Sequence, residues 1–364
     1  MSRAPGMRRR SVPDLRFAVP GDLETRTGGY IYDRRLMLEL RRIGWAIEHL
    51  ALGASFPFPD PADLAAAAKS LTALPDGSLI LIDGLAFGAM PELAEAEGRR
   101  LRLVGLVHHP LAYETGLTPN QQASLLGSER RALQAARAVI CTSATTARIL
   151  IDNYGIGSDR LFTARPGTDR VTLAQAPPRA VDSVVHLLSV GTVTHRKGHD
   201  LLVEALALVS DLPWTCTIVG SLDRDPATAA LVGQKIARHG LGERIVLTGE
   251  TADLSEFYGR ADIFALASRY EGYGMVFAEA LQHGLPVIGT TGGAIPEVVP
   301  PSAGILVPPN DVAALAQALR RLIADPASRR GFGVGALEAA EALPRWEETA
   351  RGVAAVLQGT PGAG

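Results

Sequence analysis

Ser268-Arg-Tyr-Glu-Gly-Tyr-Gly-Met-Val-Phe-Ala-Glu-Ala-Leu-Gln-His-Gly-Leu-Pro-Val-Ile288 carries a glycine turn, an apolar helix and a short strand in one run. Glu271 and Glu279 stand eight residues apart around the turn. A turn that opens a helix leaves backbone N–H groups without intrahelical partners, and these suit a phosphate. If Gly274 opens the helix, Glu279 lies about a turn and a half inside it, with its side chain tilted back towards the N-terminus. Glu271 lies in the preceding loop. Both carboxylates can then face one ligand without sharing a helical face, and carboxylates accept hydrogen bonds from sugar hydroxyls. Phosphate and hydroxyls together describe a nucleotide sugar. The plain alternative is a solvated capping loop.

Strand and helix patterns alternate outward from this run. Apolar runs at residues 15–20, 78–82, 101–107 and 138–142 read as buried strands. Helical periodicity appears at 33–50, with Leu36, Leu40, Ile43 and Ile47 on one face, and at 128–138. Around 174–178 the pattern breaks into Ala, Gln and Pro, which predicts a linker. It restarts with strands at 184–190, 214–219, 245–247, 263–266, 286–289 and 305–307. Helices are expected at 199–208, 226–239, 254–258 and 312–324, the last opened by Asp311 as N-cap, and an amphipathic helix at 345–357. Buried strands alternating with helices predict parallel sheets covered on both faces. The expected fold class is therefore α/β, with two Rossmann-like doubly wound domains facing a cleft. Their expected extents are 11–175 and 181–343, followed by a C-terminal helix at 344–358. Ligands of such sheets bind beyond the carboxyl ends of the strands.

Length and composition agree. A chain of 364 residues is too long for one ordinary core and comfortable for two. A formal net charge of −2 provides no global field for nucleic acid, and no nucleic-acid partner is expected. Cys141 and Cys216 each sit in or at the end of an apolar run and read as buried thiols, as in a reducing cytoplasm. No run approaches the roughly 18 apolar residues of a membrane helix. Residues 1–10 are basic with no apolar segment after them and read as a disordered leader. The expected location is cytoplasmic. Arg8, Arg9 and Arg10 leave room for a peripheral contact at the inner membrane surface. Arg34, Arg35, Arg41 and Arg42 could meet an anionic membrane or acceptor, or form a solvated face.

Other candidates lie at expected strand ends. In Gly191-Thr-Val-Thr-His-Arg-Lys-Gly198, a lysine after a strand-end glycine can neutralise charge developing on a departing diphosphate. That nominates Lys197, with Arg196 beside it, against the alternative of an exposed basic turn. Gly28-Gly29 follows the first strand, where glycines let the backbone approach a ligand. His108-His109-Pro110 ends another strand, and Asp83 and Glu114 are further cleft candidates. His49, His186, His195, His199, His239 and His283 lack such placement and read as structural or surface. Asp223-Arg-Asp225 could hold a divalent cation, but it follows Gly220 in a proline-containing loop and is declined. No His–Cys cluster suggests zinc, and no Gly-x-Gly-x-x-Gly follows the first strand to suggest a dinucleotide. Neither metal nor cofactor is expected.

Glu271-Gly-Tyr-Gly with Glu279, then Gly284-Leu-Pro-Val-Ile288 and Gly292-Gly-Ala-Ile-Pro-Glu297, resembles the donor site of retaining GT-B glycosyltransferases of family four, the glycosyl transferases of group 1. The resemblance implies Glu271 at the sugar and phosphate end of the donor and Glu279 at the ribose hydroxyls. Gly272, Tyr273, Gly274, Met275 and Val276 would form the donor-binding turn, with Gly28 and Gly29 facing the diphosphate from the N-terminal half. Lys197 would match the family's Lys-Gly pair. Thr192 stands where the family has an arginine, and Arg196 is the candidate substitute. His108 fits the family's histidine over the donor sugar better than His109. The implied catalytic set is His108, Lys197 and Glu271. The implied partners are a UDP- or GDP-sugar and an unidentified hydroxyl acceptor, with metal-independent transfer and retention through front-face displacement. The final helix would cross back to the N-terminal half. A nucleotide-sugar 2-epimerase, a sugar phosphorylase and a non-catalytic nucleotide-sugar binder share the architecture and stay open.

Overall fold

The computed structural model of the chain describes residues 13–171 and 184–360. One sheet holds β1 (Asp14–Pro20), β2 (Ala46–Leu52), β3 (Leu79–Asp83), β4 (Arg102–Val107), β5 (Ala138–Cys141) and β6 (Leu161–Thr163). The other holds β7 (Val185–Val190), β8 (Trp214–Val219), β9 (Ile245–Gly249), β10 (Ile263–Ala265), β11 (Val287–Thr290) and β12 (Gly304–Val307). Their orders are β2-β1-β3-β4-β5-β6 and β12-β11-β10-β7-β8-β9, with every pairing parallel. These are the two expected doubly wound sheets. Strand order reverses between β1 and β3 in the first and between β7 and β10 in the second, and ligands of such sheets bind at those switch points.

Each sheet is buried on both faces, which explains why strands such as Leu-Ile-Leu-Ile-Asp at β3 are buried at every position. Leu15, Phe17 and Leu36 pack on one face of the first sheet, and Ile80, Ile82 and Phe87 on the other. The last helix, Trp346–Gly359, leaves the second sheet and packs on the first through Trp346, Ala350, Val353 and Leu357. That spacing is one helical face. Thr168 N–H bonds Pro344 O at 2.8 Å where the chain returns.

Two readings of the sequence are corrected. The helix expected over 33–50 is Gly28–Arg42 followed by strand β2. Gly44, at φ 97°, turns the chain, and Ala46–Leu52 pairs with β1 along its whole length. Ile47 lies four residues after Ile43, so an edge strand with little buried surface continued the helical spacing by coincidence. The helix expected over 128–138 runs from Pro119 to Ala135, started by the reciprocal cap of Thr118 and Gln121. The four arginines of the first helix also have partners within the chain. Arg34 donates to Leu23 O and Thr25 O, Arg35 to Asp169, Arg41 to Ile47 O and Arg42 to Glu39. The expected linker at 174–178, the basic residues 1–10 and the last residues 361–364 lie outside the described residues. Among the described residues, no helix is long and apolar enough to cross a membrane.

Asp225 of the Asp-x-Asp sequence is the N-cap of the helix Pro226–Arg238, accepting from Thr228 N at 3.0 Å and Thr228 Oγ1 at 2.5 Å. Asp225→Ala is expected to lower stability by about 1 kcal/mol and to leave catalysis unchanged. Urea unfolding and steady-state rates check this; loss of activity in a folded variant would return the pair to the site.

Candidate active site

The switch-point loops of both sheets meet at one cleft of about 700 Å³, within the usual range for small-molecule sites. Glu271 follows β10 and is held by its backbone: its carbonyl accepts Ala294 N–H at 2.9 Å, and it bridges to Gly293. Its nearly buried side chain accepts Lys197 Nζ at 2.6 Å, Ser268 Oγ at 2.6 Å and Arg196 Nη1 at 3.2 Å. Burial pushes the Glu271 carboxyl up, but the charges of Lys197 and Arg196 outweigh it and hold it at about 2. Burial pulls Lys197 below the ordinary lysine value, with Glu271 opposing. Two basic side chains thus lie within hydrogen-bonding distance of one carboxylate.

Two glycines shape the turn. Gly274, at φ 95°, is the N-cap of the helix Met275–Gln282. A side chain on Gly272 would begin 2.1 Å from His108 O, so the N-terminal half abuts the donor turn at this point. Glu279, within the helix, accepts Tyr258 OH at 2.9 Å, and His283 stacks on the same tyrosine ring at 4.6 Å. Burial raises Glu279 to about 7, with the Tyr258 bond opposing.

On the opposite wall, Gly28 lies across from Met275, and Gly29 lies against the His108 ring. His108 ends β4. Its Nε2 is 3.1 Å from Asp33 Oδ1 and 3.1 Å from Asp83 Oδ2, and its carbonyl accepts Thr142 Oγ1 at 2.9 Å. His109 turns instead to Glu114, at 3.2 Å. Polar bridges cross between the halves. Glu114 meets Arg196 Nε at 3.1 Å. Glu297 accepts the N–H groups of Ala144 and Thr145, at 2.9 and 2.6 Å, at the start of the helix Ala144–Tyr154. Carboxylates are favoured at that helix end.

The structure thus brings Gly28, Gly29, His108, Arg196, Lys197, Glu271, the 272–276 turn and Glu279 to one cavity, together with Asp83 and Glu114. Thr192 also lines it, as does Arg196, whose guanidinium bonds Glu271. Tyr273 lines the cavity while packing in the core cluster of Phe264 and Phe277. His199, read as structural, is fully buried, and burial holds it down at about 4. Sequence reasoning missed Asp33, Ser268 and Tyr258, and quoted Glu297 without seeing its bridge. Asp33 left one signal, a charge on the inward face of the first helix with Tyr32, Leu36 and Met37. Ser268 and Tyr258 left none, because their partners are set by packing.

Residues 185–325 match the family described as glycosyl transferases group 1, and residues 38–171 match glycosyltransferase family 4. The D-inositol 3-phosphate glycosyltransferase of Kineococcus radiotolerans is 29% identical over 267 residues, covering 66% of this chain and 60% of that protein. The lipopolysaccharide core biosynthesis mannosyltransferase of Rhizobium meliloti is 29% identical over 233 residues, covering 61% and 65%. The chain thus spans less than two thirds of the length of these relatives. Among solved structures, sucrose-phosphate synthase from Thermosynechococcus elongatus superposes with TM-score 0.79 at 23% identity, covering 94% of this chain and 98% of that one. HepE from Anabaena, solved with UDP and glucose, gives TM-score 0.73 at 18% identity, covering 94% and 99%. At such identities the likeness is one of fold. With one family match on each sheet, and with this fold beneath them, the chain belongs to the group 1 glycosyltransferases of family four and has their GT-B architecture.

Proposed function

We propose that the protein transfers a hexosyl group from a nucleoside diphosphate sugar, UDP- or GDP-linked, to an acceptor hydroxyl, with retention and without a metal. The observation that carries this reading is the Lys197–Glu271–Arg196 cluster beside the Gly274-capped helix, at the switch point of the second sheet. Its fixed positive charge and the helix N-terminus suit a departing diphosphate. Two cations already in place supply the charge stabilisation that a metal supplies elsewhere. The glycosyl- and mannosyltransferase names of the relatives, and the UDP and glucose in a solved neighbour, support the same reading.

In this scheme residues 181–343 hold the donor. Glu271 orients Lys197 and meets the sugar end, the 272–276 turn offers its backbone to the phosphates, and Glu279 takes the ribose hydroxyls. Residues 11–175 contribute Gly28, Gly29 and His108 to the donor and supply the acceptor wall. The C-terminal helix, Trp346–Gly359, braces the second part on the first. The departing phosphate oxygen deprotonates the acceptor on the face it leaves, which preserves the anomeric configuration.

A thermal-shift screen with UDP, GDP, ADP and their sugars tests the donor, because a ligand of the folded state raises its melting temperature. UDP or GDP is expected to do so. Nucleoside diphosphate release should then require an acceptor, with the product anomer read by NMR coupling. Isomerised sugar without acceptor, or sugar phosphate as product, would replace the transferase by one of its architectural rivals. Absence of any stabilisation would remove the donor reading altogether.

Glu279 adds a pH signature. Accepting from two ribose hydroxyls requires its carboxylate, and burial places its value at about 7. As pH falls through 7 the acid form grows, so UDP or GDP affinity should fall several-fold between pH 8 and 6. In Glu279→Gln the affinity should be weaker and flat over that range. Calorimetric titration at the two pH values decides; a flat wild-type profile would detach Glu279 from the nucleoside.

A further inference from the structure

The arrangement behind His108 goes beyond the transferase reading, on which its functional part rests. His108 points its Nε2 into the N-terminal half, between two carboxylates that come from different elements. Asp33 stands on the Gly28–Arg42 helix with its side chain 1% exposed, and Asp83 ends β3 with 7% exposed. Asp83 is fixed by its other oxygen, which caps Leu85 N at 2.8 Å. Asp33 Oδ2 is buried and has no hydrogen-bond partner. Tyr32 meets the imidazole edge-on with centroids 5.2 Å apart, and is itself anchored by its OH on Ala164 O and by the Trp346 ring at 5.6 Å. Gly29 closes another side of the ring.

We propose that Asp33 and Asp83 are positioning residues that hold His108 as an imidazolium, leaving Nδ1 as a charged N–H donor for an oxygen of the donor bound in the cleft. With Nε2 committed to the two carboxylates, Nδ1 is the ring nitrogen left for a ligand. A neutral ring would leave two carboxylates facing each other in a buried site, which like-charge repulsion and burial both oppose. Every charged or titratable group facing the ring bears on this balance: Asp33 and Tyr32 from the helix, and Asp83 from β3. The second half of the chain presents the Gly272 backbone here, while Lys197 and Arg196 are bonded to Glu271. Burial alone would lower the imidazole, but Asp33 and Asp83 outweigh it and raise it to about 10. Burial likewise raises Asp33, to about 7, with His108 opposing. A histidine so held is no general base at neutral pH. It is an electrostatic donor on the wall opposite Lys197, and the two cations face the same ligand from the two halves of the molecule.

The test is an NMR titration of the histidine rings in the full chain without ligand, for wild type, Asp33→Asn and Asp83→Asn, alongside kcat/KM against pH. Wild-type His108 should stay protonated beyond pH 8. Each variant should lower its midpoint by at least about one pH unit and move the basic limb of the rate profile with it; above both midpoints each unit lost lowers the rate about tenfold, which is one unit of proton affinity. UDP or GDP affinity at pH 6.5 should stay as in wild type, where the ring is charged in all three. A wild-type midpoint near 6.5 would overturn the proposal. So would activity lost in both variants with neither midpoint nor profile displaced, the pattern of a purely structural pair. Zinc retained stoichiometrically by the purified chain and released by either substitution would overturn it as well. The ring titration uses no substrate, so its outcome is separable from failure of the transferase reading, which would show as no nucleotide release by wild type.

Discussion

Lys197→Ala is expected to lower kcat by about 10²–10³-fold, the usual effect of deleting one preorganised group at developing charge. The lysine ends a short helical turn after β7, and Gly198 behind it lies against Ala267 O, so its position is set by backbone rather than by a flexible stem. Its side chain is only 13% exposed, and its ammonium lies 2.6 Å from Glu271 Oε1. In water such a charge would be screened; in the cleft it is already desolvated when the diphosphate departs. Because the charge grows as the glycosidic bond breaks, kcat should fall more than KM rises. Glu271 keeps Arg196 and Ser268 as partners in the variant, so the carboxylate is not stranded and the fold should survive. Circular dichroism and the melting temperature check that. Lys197→Arg should recover part of the rate. Full activity in a folded Lys197→Ala protein would sink the assignment of the leaving-group site.

Gly272→Ala should cost about 10²-fold in kcat, the scale of an ångström-sized misplacement of reacting groups, while each half stays folded. The alanine methyl would lie 2.1 Å from His108 O and 3.0 Å from His109 Cβ. Gly272 is absent from the glycines with positive φ, so the substitution strains no backbone and acts through that contact alone. The halves can relieve it only by moving apart at the donor turn, which separates His108 from Lys197. Small-angle scattering should report a larger radius of gyration, and the melting temperature should change little. Gly127→Ala, within the helix Pro119–Ala135 and with open space around it, is the control and should keep full activity. Unchanged kcat and dimensions in Gly272→Ala would show that the contact of the halves is dispensable.

The two sheets were legible because buried parallel strands leave continuous apolar runs and helices leave a 3.6-residue period. Legibility failed where burial was slight. Strand β2, at a sheet edge, has only its last residue buried, so its pattern merged with the preceding helix. The site was legible where one segment carries both the ligand-facing residue and its support, as around Glu271. It was illegible where support arrives from elsewhere: Ser268 and Tyr258 look ordinary until packing sets them against Glu271 and Glu279.

The alternation of buried strands and helices, the strand-end position of each candidate and the glycines of the donor turn were determined by the sequence itself. Each depends on neighbours a few residues away. What the tertiary structure alone decided is which charges meet. Lys197 and Glu271 lie 74 residues apart and His108 and Asp33 lie 75 apart, farther than any local pattern reaches. They are joined because strand order reverses between β7 and β10 and between β1 and β3, and because the last helix returns to the first sheet and brings the two switch points face to face. Sheet order follows from which buried faces pack together, a property of the whole chain. Only in that arrangement do the carboxylates around His108 and the cations around Glu271 acquire the burial that fixes their charge.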